Sequence, residues 1–263
     1  LAGDSHSYAL RNLIANLSEK YGTQYTSISG TMFPSNIYWY KSKSKPYLED
    51  FDVLGTTKYM EHILKDAKSN DIVIISNRLP TIYSDPLNDA QSLLHSNAIF
   101  FNNEGKPISR LKSLELWFKD LESFFQKAIS KNISIIYVMP VPEFTESAQA
   151  CLFSANREKC GVIDKQFLIE NYADIYNQLQ IISKKNPEVK FIDPFKDICD
   201  QKKCNMSGLS FDKKRKVSYY MDNNHLSLAG SKKLYRQFDD ILKILLPSDS
   251  VNHNFLPFKK IRN

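Results

Sequence analysis

Asp71-Ile72-Val73-Ile74-Ile75-Ser76 is a run of four β-branched apolar residues closed by a polar residue at each end. A strand that faces water on one side alternates apolar and polar positions; this one does not alternate, so it reads as a strand covered on both faces. Ile133–Met139 reads the same way. Between the two, Leu111, Leu114, Phe118, Leu121, Phe125 and Ala128 recur at helical spacing and mark one long helix. Working outward, Leu10, Leu13, Ile14, Leu17 and Tyr21 predict a helix over Tyr8–Lys20, followed by a strand over Tyr25–Ser29 that ends at Gly30. Further helices are expected near Thr57–Lys68, over Lys165–Lys185 and from Ser227 to about Leu246, with a strand over Val189–Asp193. Helices alternating with buried strands imply an α/β fold, a central parallel sheet with helices on both faces.

Four long connections interrupt this alternation, at Thr31–Thr56, Leu79–Ser109, Pro140–Asp164 and Pro194–Met221. Loops of such length in a compact domain are usually functional or covering elements. No repeat stands out, so 1–263 reads as a single domain, with 247–263 as a C-terminal extension. Gly3-Asp4-Ser5 opens directly onto the first helix with only two residues before it. A strand belongs there, and its apparent absence implies that the natural protein continues upstream.

The chain is 42% hydrophobic and 24% charged, which supports a folded core rather than disorder. The longest apolar run, Ile133–Val141, is far short of the roughly 20 residues of a membrane span, and no signal peptide is visible. The net charge of +6 gathers in part at Lys41–Lys45, Lys213–Lys216 and Lys259–Arg262. Without a zinc-finger or RNA-recognition signature, this is read as a solvated basic surface and not as a nucleic-acid site. Cys151/Cys160 and Cys199/Cys204 form two local pairs without zinc-site spacing. Two disulfides, and hence an oxidising compartment, or four buried thiols both fit.

Two constellations carry chemistry. In Gly3-Asp4-Ser5-His6-Ser7 the serine falls at a strand-to-helix turn, where the helix N-terminus offers N–H groups to a developing oxyanion; the plainer reading is a helix cap. In Asp222-Asn223-Asn224-His225-Leu226-Ser227, His225 can act as a base and Asp222 can orient its ring, while Ser227 caps the last helix. A serine hydroxyl is nearly inert at neutral pH without such a base. Phe33, Tyr38, Trp39, Tyr40, Tyr47 and Phe51 enrich the loop after Gly30 and suit either a sugar-stacking platform or packing of that loop. His62, His95 and His253 show no partner in the sequence.

Together the two ends resemble the SGNH (GDSL-like) esterase superfamily, in which Gly-Asp-Ser is the first motif and Asp-x-x-His the last. The resemblance implies a three-layer α/β/α, flavodoxin-like domain with a Ser5, His225 and Asp222 triad. It also implies oxyanion donors at Ser5, at the backbone of Gly30, and at Asn77 or Arg78, where Ser76-Asn77-Arg78-Leu79 stands in place of the family's Gly-x-Asn-Asp. A narrower resemblance rests on Gly3-Asp4-Ser5-His6, a strand ending in Arg78, the paired cysteines, and Cys199-x4-Cys204 leading into Tyr219-Tyr220-Met221-Asp222-Asn223-Asn224-His225-Leu226-Ser227. These features look like the SGNH domain fused to the C-terminus of membrane-bound acyltransferase-3 proteins such as bacterial O-antigen acetyltransferases.

That branch implies an O-acyltransferase acting in the periplasm and tethered to the inner membrane by an upstream membrane domain that delivers the acyl group, the acceptors being hydroxyls of a cell-envelope glycan. No metal or organic cofactor is required. An esterase with the same triad and a non-catalytic glycan-binding domain are the alternatives, and the simplest disulfide pairing is Cys151–Cys160 with Cys199–Cys204.

Overall fold

The computed structural model of the chain describes residues 1–29, 38–39, 61–83, 100–101, 106–154, 160–209 and 213–246. Gly30, the other aromatic residues of its loop, His95, His253, the lysines at 41–45 and 259–262, and the extension 247–263 lie outside the described residues.

Five strands form the central sheet: β1 (Ala2–Gly3), β2 (Ile28–Ser29), β3 (Ile72–Ser76), β4 (Ser134–Val138) and β5 (Lys190–Ile192). Their spatial order is β2-β1-β3-β4-β5 and every pairing is parallel. This is the flavodoxin-like order, whose direction of winding reverses between β1 and β3; sites in such sheets form at the carboxyl ends of the strands flanking that reversal. The strand expected ahead of Gly3-Asp4-Ser5 is therefore present. Ala2 pairs with both Ile28 and Ile75, and Gly3 with both Ser29 and Ser76, so these two residues form an internal strand of the sheet, next to its edge strand β2.

Period-2 alternation splits the strand side chains between two cores. Val73, Ile75, Ile135 and Tyr137 pack with Trp117, Leu121 and Phe125 of helix Arg110–Ser130 and with Ile175 and Leu179 of helix Ala173–Lys185. Ile74, Ile136, Val138 and Ile192 face the other way, onto Leu10, Leu13 and Leu17 of helix Ser5–Lys20 and Phe238 and Leu242 of helix Tyr235–Leu245. The result is the expected three-layer α/β/α domain. Each fully buried Leu, Ile or Phe contributes roughly 1.5–3 kcal/mol, so both layers are anchored by apolar burial.

Two expected helices are each broken once. Lys165–Asn171 and Ala173–Lys185 meet at Tyr172, whose buried hydroxyl accepts the Glu143 N–H at 3.2 Å. Leu228–Lys233 and Tyr235–Leu245 meet at the buried Leu234. The long connections also carry small elements instead of bare loop. Val162–Asp164 pairs with Lys203–Asn205, Ser207–Leu209 pairs with Lys216–Ser218, and Phe100–Phe101 lies between Tyr38–Trp39 and Pro107–Ile108. Disulfides Cys151–Cys160 and Cys199–Cys204 close two of these insertions. No helix among the described residues is long and apolar enough to cross a membrane.

Candidate active site

The site begins at the end of β1. Gly3 has φ +135°, and a Cβ placed on it would lie 1.9 Å from the Ser76 carbonyl oxygen, so only glycine lets β1 run this close to β3. The chain then turns into the helix at Asp4. One carboxylate oxygen of Asp4 accepts the His6 N–H at 2.9 Å and caps the helix, while the other accepts the Arg78 N–H at 2.7 Å and ties the turn to the end of β3. Burial pushes the Asp4 carboxyl up to about 6, against the pull of those two N–H groups. Ser5, the first helical residue, is exposed.

The second half of the site is a tight excursion of the chain before Ser227. Tyr220 and Leu226 pair as an isolated antiparallel bridge, and the Met221 N–H donates to the His225 carbonyl at 2.9 Å. Asp222 organises the turn between them. Its Oδ1 accepts the N–H groups of Asn224 at 2.9 Å and His225 at 2.8 Å, leaving Oδ2 to the His225 ring. Ser227 then caps Leu228–Lys233 by accepting from Ala229 and Gly230, as expected. The segment after β4 braces this turn from outside: the Phe144 N–H donates to the Asn223 carbonyl at 2.9 Å and the Ala148 N–H to the Asp222 carbonyl at 3.2 Å.

These two pieces bring Ser5, His225 and Asp222 into one hydrogen-bonded line. His225 Nε2 lies 2.7 Å from Ser5 Oγ, and His225 Nδ1 lies 2.6 Å from Asp222 Oδ2. With Nδ1–H donating to the carboxylate, Nε2 is the acceptor for the serine hydroxyl. Burial raises the Asp222 carboxyl, but the His225 ring and the N–H groups of His225 and Asn224 outweigh it and hold Asp222 below the usual carboxylate range. It is thus an anion beside a ring able to take a proton, the arrangement that activates a serine.

Of the expected oxyanion donors, Ser5 sits at the helix start and Gly30 lies outside the described residues. Asn77 and Arg78 are both buried at the end of β3, across the sheet's reversal from Ser5. Asn77 packs on the elbow, its Oδ1 3.2 Å from the position a Gly3 Cβ would take. Arg78 is turned elsewhere. Its Nε and Nη2 donate to Glu143 Oε1 and Oε2 at 2.9 and 2.7 Å, a side-by-side ion pair out of solvent.

Sequence reasoning missed two members of this neighbourhood. One is Glu143, a lone acid in Pro140-Val141-Pro142-Glu143-Phe144, where an ionised residue flanked by apolar ones was the available signal. The other is Asn224, whose Oδ1 lies 3.1 Å from His6 Nε2. The His6 and His225 rings meet edge to face, with centroids 5.3 Å apart. Burial, reinforced by the charges of Arg78 and His225, drives the His6 pKa down to about 3, so the ring is neutral at ordinary pH. Two imidazolium rings at this spacing would repel by about 3 kcal/mol at an effective dielectric of 20. A neutral His6 places no such repulsion beside the His225 ring.

The sequence profile of SGNH domains fused to AT3 domains matches residues 1–240. The chain belongs to this family. At family level, SGNH membership makes it an acyl-transferring or ester-hydrolysing enzyme. The periplasmic domain of a lipopolysaccharide acetyltransferase from Salmonella ser. Paratyphi A shares the fold, with 14% identity and a TM-score of 0.56 over 92% of this chain and 82% of that one. A protein described as an acylhydrolase from Bacteroides fragilis is also 14% identical, with a TM-score of 0.46 over 93% of this chain and 86% of that one. Among curated proteins no relative matches the chain.

Proposed function

We propose that this SGNH domain is a serine-dependent O-acyltransferase that moves an acyl group, acetyl in the first instance, onto a hydroxyl of a cell-envelope glycan such as O-antigen. The observation that carries the reading is the unbroken line Ser5 Oγ, His225 Nε2, His225 Nδ1, Asp222 Oδ2. Ser5 Oγ attacks the acyl carbonyl as His225 Nε2 takes its proton; the tetrahedral intermediate collapses, and His225 returns that proton to the departing donor group. A sugar hydroxyl then attacks the acyl-serine, giving its proton to His225. Collapse of the second intermediate releases the acylated sugar, and the proton passes back to Ser5. Asp222 holds the ring in the required tautomer and stabilises its charged form.

The oxyanion donors in this proposal are the N–H groups of Ser5 and Gly30 and the side chain of Asn77. Arg78 is the weaker candidate because two of its guanidinium N–H groups are committed to Glu143. The fusion to AT3 domains that defines the family supports an upstream membrane domain as source of the acyl group. It also supports a place outside the cytoplasm, tethered to the inner membrane. The two disulfides suit that compartment.

Exposure of Ser5 favours a second reading, hydrolysis, because water as well as a sugar can reach the acyl-serine. A time course with an activated acetyl ester, with and without oligosaccharide, on wild type and Ser5→Ala separates the two. Acceptor-dependent sugar ester that vanishes in Ser5→Ala is expected for transfer. Acetate alone, equally dependent on Ser5, would mean an esterase, and undiminished turnover in Ser5→Ala would end both readings.

A further inference from the structure

His6 and Asn224 stand next to the two halves of the site, one residue after Ser5 and one before His225. Their side chains make a direct tie between those halves, beside the Ser5–His225 bond. His6 Nε2 and Asn224 Oδ1 are 3.1 Å apart, and both residues are buried. The roles in this bond follow from the neighbours. Asn224 Nδ2 donates to Asn223 Oδ1 at 2.8 Å, which turns the amide oxygen toward His6; an oxygen only accepts, so His6 Nε2 carries the hydrogen. Asn224 is in turn fixed at its backbone, where its N–H donates to the same Asp222 Oδ1 that receives the His225 N–H.

A pull on Asn224 is therefore a pull on the turn that aims His225. Without the tie, the direct side-chain link between turn and elbow that is left among the described contacts is the Ser5–His225 bond, which reaction itself must break and remake; the Arg78–Glu143 route reaches the turn only through the segment that braces it. The edge-to-face contact of the two rings adds a wall against which His225 rests.

We propose that His6 is a positioning residue for acyl transfer: through its Nε2–H bond to Asn224 and its edge contact with His225, it fixes the distance between the serine and its base. The proposal rests on the serine-dependent reading above. It concerns turnover more than substrate binding, since His6 is buried behind the reacting groups, and a displacement of about 1 Å at such a site costs roughly 100-fold in rate.

The test uses the intact chain with an activated acetyl ester, and follows kcat, KM and the rate of labelling by a serine-directed phosphonate. His6→Phe keeps an edge-on aromatic ring but no donor; its kcat and labelling rate should fall roughly 10- to 100-fold with KM near wild type. His6→Gln places an amide N–H the same number of bonds from Cα as histidine Nε2 and should recover most of the loss. Asn224→Ala should resemble His6→Phe, and the double variant should fall no further than the worse single, because both remove one bond. Wild-type turnover in His6→Phe, a His6→Gln as slow as His6→Phe, or fully additive losses in the double variant would overturn the assignment. Ser5→Ala keeps the two ideas apart. An active Ser5→Ala removes the serine reading itself, whereas an inactive Ser5→Ala beside an unimpaired His6→Phe removes only the positioning role.

Discussion

The Arg78 guanidinium and the Glu143 carboxylate meet side by side, Nε to Oε1 at 2.9 Å and Nη2 to Oε2 at 2.7 Å, with 7% and 2% of their side chains exposed. Through this pair the end of β3 grips the segment that braces the Asp222–His225 turn. Breaking one side leaves a charge buried without its partner, which costs about 3–5 kcal/mol. Glu143→Gln should therefore lower the urea unfolding free energy by that order. Arg78→Met with Glu143→Leu should recover much of it, and equal losses in the single and double variants would contradict the account.

Asp222→Asn tests the orientation of the base. The N–H bonds from Asn224 and His225 can persist to the amide oxygen, so the turn should keep its shape, but the His225 ring then faces an amide donor and is driven to the wrong tautomer. A fall in kcat of roughly 10³–10⁴-fold, measured where the variant remains folded, is expected; some lowering of the unfolding midpoint should accompany it, since the fold favours the ionised carboxylate. A loss under about tenfold would show that the carboxylate does not set the tautomer.

Gly3→Ala should not be tolerated. Its methyl group would sit 1.9 Å from the Ser76 carbonyl oxygen at a backbone φ of +135°, so either the strand pairing or the elbow must give. Strain and overpacking together are expected to cost about 3 kcal/mol or more, read as a shift in the urea midpoint.

His6 gives a pH signature with a defined sign. Its pKa of about 3 in the folded chain lies below the ordinary 6.5, so between those values the unfolded chain binds more protons and stability falls as pH falls. Neighbouring Asp4 shifts the opposite way, to about 6, and partly cancels the slope in the wild type. The difference between wild type and His6→Gln isolates the histidine. That difference should grow in favour of wild type by up to about 1.4 kcal/mol per pH unit from 4 toward 6.5 and level off above. A difference independent of pH would mean that His6 is not held neutral by the fold.

What the sequence shows of this site depends on how far a contact reaches. Ser5 is legible because Gly3-Asp4-Ser5 is a local pattern with a local cause, a glycine that lets two strands touch and an acid that caps a helix. Asp222 and His225 are legible because one turn satisfies both, through bonds three residues or fewer apart. Glu143 and Asn224 act through partners 65 and 218 positions away, and no spacing rule encodes that. The strands β3 and β4 announce themselves because burial on both faces demands unbroken apolar runs. β1 does not, since two residues are too few to carry a period, and its internal place comes from pairing on both sides. The breaks at Tyr172 and Leu234 have no glycine or proline to signal them.

Ser5 and His225 stand 220 positions apart, one in the first helical turn and the other just ahead of the last two helices. A chain emerging in order from a ribosome or a translocation pore presents its serine early and its base late. Every nascent intermediate before His225 holds an unactivated alcohol, chemically as quiet as any other surface serine. If the proposed mechanism holds, maturation of the reactive group is coupled to completion of the fold, and a chain cut short before His225 should neither acylate nor deacylate anything around it.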